Sequence, residues 1–188
     1  MFKTKNKIPV DLKPVVLIMG DGACLSDDLK DYYSFLEPAD VFAVNKSINF
    51  YGRCKHWGTA DGEEAIHQAI QLKLQHPKLI CHTLEPEIQG FDVFWKPDNM
   101  DAINWRGSSA LFAAEACLGM GYKKIVLAGV PMDNNGHWYD PFVKGPLWTE
   151  EAYMKWEMFA KSDPPVKSMS GWTNKLFGRP TKKWLKKD

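Results

Sequence analysis

An acid and a base lie close together in the stretch after the most apolar strand that the sequence predicts. Asp133 ends the run Gly129-Val-Pro-Met-Asp133, and His137 follows the turn signal Asn134-Asn-Gly136. A carboxylate at a strand end beside a loop histidine has the residue types for proton transfer or metal binding. A turn-forming aspartate beside a partly exposed histidine fits the same spacing. We therefore take Asp133 and His137 as candidate catalytic residues and keep both interpretations.

A second candidate site is the stretch Pro14-Val-Val-Leu-Ile-Met-Gly-Asp-Gly-Ala-Cys-Leu-Ser26. Its uninterrupted apolar run predicts a central parallel strand that is covered on both faces. Gly20 and Gly22 then allow a tight turn whose backbone amides can approach a ligand phosphate. Ser26 is a suitable N-cap for a helix to about Leu36. Strand, glycine turn and helix open many nucleotide-binding folds, although a βα turn without a ligand fits the same residues.

Further polar residues are predicted at the same edge of the sheet. Asn45 ends an apolar strand, and ligands collect outside the carboxyl ends of parallel strands; a loop-capping amide is the alternative. Gly107 and Ser108 precede an apolar helix predicted over 109–118, whose N-terminus favours an anion. With the strand predicted over 122–128, that helix forms half of a parallel crossover. The sequence thus predicts an α/β fold, a Rossmann-like three-layer domain with a mostly parallel central sheet.

Two more helices have recognisable start signals. Asp61 and Glu64 have the spacing of a capping box and predict a helix to about Gln75. Thr149 is the N-cap of a helix predicted to end near Lys161. The aromatic residues of the second helix are expected to pack into the core rather than to bind a cofactor.

Composition limits the class of protein. The 188 residues are 45% hydrophobic and 25% charged, which suffices for one sizeable core. No apolar run approaches the roughly 20 residues that span a bilayer, and the N-terminus lacks the apolar region of a signal peptide. The four cysteines are scattered without metal-ligand spacing. We therefore expect a cytoplasmic protein with reduced thiols and no transmembrane segment.

The charge of the chain changes after its first 160 residues. From Lys161 onward there are eight Lys and Arg against two Asp and Glu, which leaves a net charge of about −5 on the preceding residues. Interleaved aromatic and basic residues suit a phosphate-rich polymer, a membrane surface, or an arm packed on the body or on another subunit. The sequence predicts a Rossmann-like nucleotide-binding domain over 1–161 and a basic aromatic C-terminal arm over 162–188. A second copy or a protein partner would bind through that arm.

Three segments of the chain resemble the bacterial sialyltransferase-like glycosyltransferases and the related 6-hydroxymethylpterin diphosphokinase-like family. Gly20-Asp-Gly-Ala-Cys-Leu25 is similar to the family's Gly-Asn-Gly-Pro-Ser-Leu turn, and Val41-Phe-Ala-Val-Asn45 is similar to its second strand. The residues from Gly107 to Asp133 resemble its Ser/Gly-started helix and the strand that follows. Together the segments span about residues 14–133 in the family's order.

The resemblance implies a site for a cytidine nucleotide. In the sialyltransferases the glycine turn, the strand-end asparagine and the helix start hold this nucleotide. Asp21 replaces the family's asparagine, and a carboxylate near phosphate is unfavourable unless a cation or a sugar hydroxyl intervenes. The resemblance assigns the binding of the nucleotide to Gly20, Asp21, Gly22, Asn45, Gly107 and Ser108.

The resemblance also implies a reaction. A nucleotide-sugar donor, CMP-linked in the sialyltransferases, would be the substrate, and His137 would be the base that deprotonates an acceptor hydroxyl. In the diphosphokinase-like alternative, Asp133 with Asp21 would hold Mg²⁺ on a nucleoside triphosphate. A non-catalytic nucleotide-binding or assembly protein is the third hypothesis. The donor sugar, the acceptor and any cofactor are unknown from the sequence.

Overall fold

A parallel sheet of seven strands forms the centre of the protein in the computed structural model, which describes residues 4, 11–34, 39–96, 108–142 and 149–186. Every pair of neighbouring strands is parallel. The strands are β1 (Val15–Met19), β2 (Asp40–Val44), β3 (His56–Thr59), β4 (Ile80–Thr83), β5 (Val93–Phe94), β6 (Lys124–Ala128) and β7 (Val166–Ser168).

Helices pack on the sheet, with one hydrophobic cluster on each of its faces. Two 3₁₀ helices, Asn45–Asn49 and Glu63–Ala65, follow β2 and β3. Within the described ranges, no helix has both the length and the apolar character needed to cross a membrane. The α-helices are α1 (Leu25–Tyr33), α2 (Ile66–Gln75), α3 (Ser109–Met120), α4 (Glu150–Lys161), α5 (Gly171–Phe177) and α6 (Lys182–Lys186). The predicted fold class, a Rossmann-like three-layer α/β domain, is confirmed.

The order of the strands creates a crevice beside β1. The sheet runs β5-β4-β3-β2-β1-β6-β7, so the chain moves outward from β1 to β5 and then returns to place β6 on the other side of β1. Met19 and Ala128 are register partners, and the two strands therefore end level with each other. In such sheets, ligands bind outside the carboxyl ends of the strands at the point where the order reverses.

The starts of the helices follow the predictions in part. Ser108 caps α3 by accepting a hydrogen bond from Leu111 N at 3.2 Å, and Thr149 is the N-cap of α4, where its side chain accepts a hydrogen bond from Ala152 N. The predicted cap at Ser26 is wrong, because α1 begins at Leu25 after Cys24. The predicted capping box at Asp61 is also wrong, because a 3₁₀ turn separates that residue from α2.

The C-terminal residues belong to the same fold as the rest of the chain. Strand β7 extends the sheet next to β6, and Met169, Phe177 and Leu185 are buried in its hydrophobic clusters. The sheet thus continues beyond the boundary predicted between 161 and 162. The segment after 161 is richer in basic residues than the rest of the chain, but the apolar residues between them face the core. Binding of a partner through this segment stays a prediction.

Asp28 is a residue of α1 that bonds to the chain just after β6 and just after β7. Its Oδ2 atom accepts hydrogen bonds from Gly129 N at 2.8 Å and from Ser170 Oγ at 2.7 Å. The side chain is 6% exposed, and burial raises its pKa. These bonds hold the chain that leaves β6 against α1, and so help to shape the crevice.

A buried chain of hydrogen bonds crosses the other half of the sheet. Trp95 Nε1 donates to His82 Nδ1 at 3.0 Å, and the two imidazoles meet at 2.9 Å between His82 Nε2 and His56 Nδ1. His56 Nε2 then contacts the hydroxyl of Tyr122 at 2.9 Å, which donates to Asp40 Oδ2 at 2.9 Å. An indole only donates and a carboxylate only accepts, so the chain has one direction and both histidines are neutral with the proton on Nε2.

This chain predicts how stability depends on pH. Burial lowers the pKa of His56 from 6.5 to about 4, while the unfolded chain keeps the ordinary value. The stability that His56 contributes is therefore present above pH 6.5 and is lost as the pH falls to 4. The difference corresponds to about 3 kcal/mol. We expect the wild type to have a larger free energy of unfolding than His56→Gln at pH 7. This difference, measured by urea unfolding, should fall by about 3 kcal/mol as the pH is lowered to 4.

Titratable groups that do not contact His56 contribute equally to both proteins in this comparison. Asp21 has a raised pKa and contributes in the opposite direction, but it is present in both proteins and its contribution cancels. A difference in unfolding free energy that stays constant over this pH range would mean that His56 titrates alike in the folded and unfolded chains. That result would contradict the assigned hydrogen-bond chain.

Candidate functional site

A cavity of about 180 Å³ lies at the carboxyl ends of β1, β2 and β6. The turn after β1, the start of α3 and the loop that carries His137 enclose it. It occupies the crevice that the strand order predicts. Its lining residues are Gly20, Asp21, Gly22, Val44, Asn45, Asp61, Ser108, Ser109, Ala110, Gly129, Val130 and His137.

Most of the predicted site residues meet at this cavity. Those that line it are Gly20, Asp21, Gly22, Asn45, Ser108 and His137. Gly107 lies outside the described residues. Asp133 is not among the lining residues, and its two carboxylate oxygens accept hydrogen bonds from Asn135 N at 3.1 Å and Asn135 Nδ2 at 2.8 Å. The structure thus gives Asp133 the turn-forming arrangement and places His137 at the cavity. What each residue does there stays a prediction.

The glycine turn differs from the expected phosphate cradle. Gly20 N donates to Ala128 O at 2.8 Å, Gly22 N to Gly129 O at 2.8 Å, and Ala23 N to Gly136 O at 3.2 Å. The prediction that the amides of this turn are free for a phosphate is therefore wrong for these three. They bond to the chain that leaves β6.

Close packing explains why glycine occupies both positions of the turn. A Cβ atom at Gly20 would lie 2.5 Å from Gly129 O, and one at Gly22 would collide with the ring of Pro131. Real Cβ atoms do not approach other atoms so closely, so a side chain here would push the ends of β1 and β6 apart. Substitution of either glycine is consequently a test of folding rather than of ligand binding.

Asn45 has an unusual backbone conformation at the end of β2. Its φ angle is +50°, which is uncommon for residues other than glycine and is tolerated best by Asn and Asp. Its carbonyl accepts a hydrogen bond from Trp57 Nε1 at 2.9 Å. The side-chain Oδ1 is buried and has no hydrogen-bond partner among the described residues. Such strain and such an orphan atom are typical of binding sites.

Asp21 is a partly buried carboxyl group at the cavity. Its Oδ2 accepts a hydrogen bond from Lys46 N at 3.3 Å, whereas Oδ1 is buried and unpartnered in the described chain. Burial raises its pKa to about 6, although the amide of Lys46, the charge of His137 and the indole of Trp138 lower it. Trp138 Nε1 lies near this carboxyl group without meeting the geometry of a hydrogen bond. Below about pH 6 the group is neutral.

The loop with His137 lies directly across from the glycine turn. Trp138 N donates to Asp21 O at 2.9 Å, and His137 forms an isolated antiparallel bridge with Gly22. Its ring stacks on Tyr139 with centroids 5.1 Å apart and planes within 6°. His137 Nδ1 is buried and has no partner in the part of the chain that the structure describes. Among the described residues, the contact that holds the imidazole is its stacking on Tyr139.

Sequence reasoning missed several residues of the site. Asp61 lines the cavity instead of capping a helix, and burial raises its pKa together with the charge of Glu64. It follows the end of β3 by two residues, so the rule about carboxyl ends of strands could have identified it. Ser109 joins the start of α3 to the chain that follows β3, because its Oγ accepts a hydrogen bond from Ala60 N at 3.1 Å.

The ligands predicted for Mg²⁺ do not meet at the cavity. Asp21 lines it and Asp133 does not. Among the described residues, no group of three or more His, Cys, Asp or Glu is arranged to hold a metal ion. The described residues therefore provide no ligand set for the Mg²⁺ of the diphosphokinase-like alternative.

Fold and cavity define a class of protein: a Rossmann-like α/β domain with a polar crevice where the strand order reverses. Comparisons of the chain with protein-family models, curated proteins and solved structures find no significant match. An assignment of function depends for this reason on the residues that line the cavity.

Proposed function

We propose that the cavity binds a nucleotide or nucleotide sugar, and that the protein transfers the sugar to an acceptor hydroxyl. One observation carries the proposal: three buried polar atoms without partners in the described chain, Asp21 Oδ1, Asn45 Oδ1 and His137 Nδ1, belong to residues of one cavity. Buried polar atoms are rarely left unpaired in proteins. A polar ligand with several hydroxyl groups would satisfy them.

The start of α3 suits the phosphate of such a ligand. Ser108 O and Oγ accept the amides of Phe112 and Leu111. The first amides of a helix have no partner within it, and those of Ser109 and Ala110 belong to residues that line the cavity. A phosphate there would also benefit from the dipole of this 12-residue helix.

We assign the role of general base to His137, which lines the cavity. In the proposed reaction it takes the proton of an acceptor hydroxyl while the hydroxyl oxygen forms a bond to the anomeric carbon. The bond from that carbon to the phosphate oxygen breaks, and the leaving nucleotide keeps the electron pair. The amides at the start of α3 would stabilise its charge. The resemblance to the sialyltransferase-like family favours a CMP-linked donor.

A nucleotide-binding protein without catalysis is the second candidate. The observation that favours it is the missing partner of His137 Nδ1 among the described residues, since a catalytic base is commonly oriented by a third group. The two candidates share the binding site and differ in turnover.

Asn45→Ala tests the site itself. We expect one of CMP, UMP, GMP or AMP at one hundred times its dissociation constant to stabilise the wild type by about 2.7 kcal/mol, which is a rise in melting temperature of roughly 5–10 °C. Asn45→Ala should lose most of this rise because it removes hydrogen bonds inside the cavity. The control is Asn49→Ala, an exposed residue of the same 3₁₀ helix that does not line the cavity. Equal shifts in all three proteins would place the ligand elsewhere.

A further inference from the structure

Lys46 is held next to the cavity by two contacts. Its backbone amide donates to Asp21 Oδ2 at 3.3 Å, and its ammonium lies 4.5 Å from the centroid of the Tyr139 ring. The same ring stacks on His137. We call these three residues the Lys46–Tyr139–His137 stack. It connects the strand-end segment after β2 to the loop that faces the glycine turn.

The carboxyl groups of the cavity disfavour a phosphate that only the start of α3 would stabilise. Two carboxyl groups, Asp21 and Asp61, line the cavity, and its described lining contains no Lys or Arg. Two unit charges 4 Å apart interact by about 4 kcal/mol near a protein surface, so a phosphate beside ionised Asp21 is strongly disfavoured. Lys46 is close enough to lower the pKa of Asp21 by its charge.

On the β1 side of the cavity, three backbone amides are not free to bind a phosphate. The amides of Gly20, Gly22 and Ala23 bond to carbonyl groups of the protein. The ammonium of Lys46, in contrast, has no ion pair with any described residue. An exposed lysine otherwise samples many rotamers, and the contact with Tyr139 limits them.

We propose that Lys46 binds the phosphate of the nucleotide, and that Tyr139 is a positioning residue for its ammonium. This inference rests on the proposed function and assigns part of the ligand to one side chain. Tyr139 contacts both Lys46 and His137, so one ring joins the proposed phosphate ligand to the candidate base. The ligand class is therefore a phosphorylated nucleoside, and a bare nucleoside should bind less tightly.

The test compares CMP with cytidine in matched variants by titration calorimetry. Lys46→Met keeps the aliphatic stem and removes the charge, so CMP should bind about 10–100-fold more weakly, at or near the affinity of cytidine. Cytidine binding should stay within about twofold of wild type, since it makes no contact that the charge supplies. Lys46→Arg should retain most of the affinity. The control Lys30→Met removes an exposed charge on α1 and should change neither ligand.

Variants of Tyr139 separate positioning from charge. Tyr139→Phe keeps the aromatic face and should bind CMP like the wild type. Tyr139→Leu should weaken CMP about 2–5-fold, the size of an exposed cation–π contact. An equal loss of CMP and cytidine in Lys46→Met would overturn the inference, because it would show a structural role. So would an unchanged affinity for CMP.

The outcome also distinguishes the inference from the function on which it rests. If the wild type binds CMP and Lys46→Met binds it equally well, only the assignment of Lys46 fails. If the wild type binds none of CMP, UMP, GMP and AMP, the proposed function fails, and the phosphate assignment fails with it.

Discussion

A chain that ends at residue 170 is expected not to fold into a cooperative domain. The truncation removes α5 and α6, which bury Thr173, Phe177 and Leu185 against the sheet. Burying a Phe or Leu side chain stabilises a protein by about 1.5–3 kcal/mol each, against a total stability of about 5–15 kcal/mol. Phe177 also completes a ring cluster with Trp156 at 5.8 Å and Phe159 at 6.0 Å.

Hydrogen bonds lost with the same helices add to the effect. Thr173 Oγ1 donates to Val130 O, and Trp172 N donates to Pro131 O at 2.8 Å. These bonds fix the chain just beyond the end of β6, where Val130 lines the cavity. The truncated protein should therefore lose the binding site together with the fold.

Urea unfolding followed by circular dichroism measures this effect. The matched control is the double variant Lys182→Ala, Lys183→Ala in the full chain, which removes two exposed charges of α6 and no buried contact. It should unfold like the wild type. A truncated chain that unfolds cooperatively at nearly the same urea concentration would show that the segment is a dispensable arm, as its composition alone predicts.

His137→Ala is expected to lower the rate of sugar transfer by about 10²–10⁴-fold while the donor still binds. The reason is the position of the imidazole, which lies at the cavity and stacks on Tyr139. A general base acts on the transition state, so its removal affects turnover far more than donor affinity. Release of CMP from a CMP-linked sugar measures turnover, and calorimetric titration of CMP measures whether the nucleotide part of the donor still binds.

His67→Ala is the control for this experiment, since His67 is an exposed residue of α2 away from the cavity. It should transfer sugar at the wild-type rate. If His137→Ala retains full turnover, another group is the base. If the wild type binds the nucleotide and shows no turnover with any acceptor, the protein is the binding module of the second candidate function.

Local sequence was enough to predict the central elements. The apolar runs of β1, β2 and β6 have no alternation because both faces of these strands are covered. Ser108 marks the start of α3 by capping chemistry that depends only on neighbouring residues. The general location of the site followed from the same reasoning, since polar residues after parallel strands gather at one edge of the sheet.

Contacts between distant residues were beyond such reasoning. Gly22 faces Pro131, and the amides of the turn bond to the chain after β6, which changed a predicted phosphate cradle into a packing contact. His56 and His82 look like ordinary strand residues until the sheet places them side by side. Lys46 contacts Tyr139 only because the loop after β6 folds back over the turn after β1.

The physical reason lies in what each kind of interaction depends on. The period of apolar residues and the caps of helices act over a few neighbouring positions, so the sequence by itself determined the strands β1, β2 and β6, the α3 helix and the edge of the sheet where ligands collect. Free backbone amides, burial and pKa depend on which segments pack together. Only the tertiary structure decided that Asp61 and His137 share a cavity with Asp21, and that the C-terminal helices complete the core.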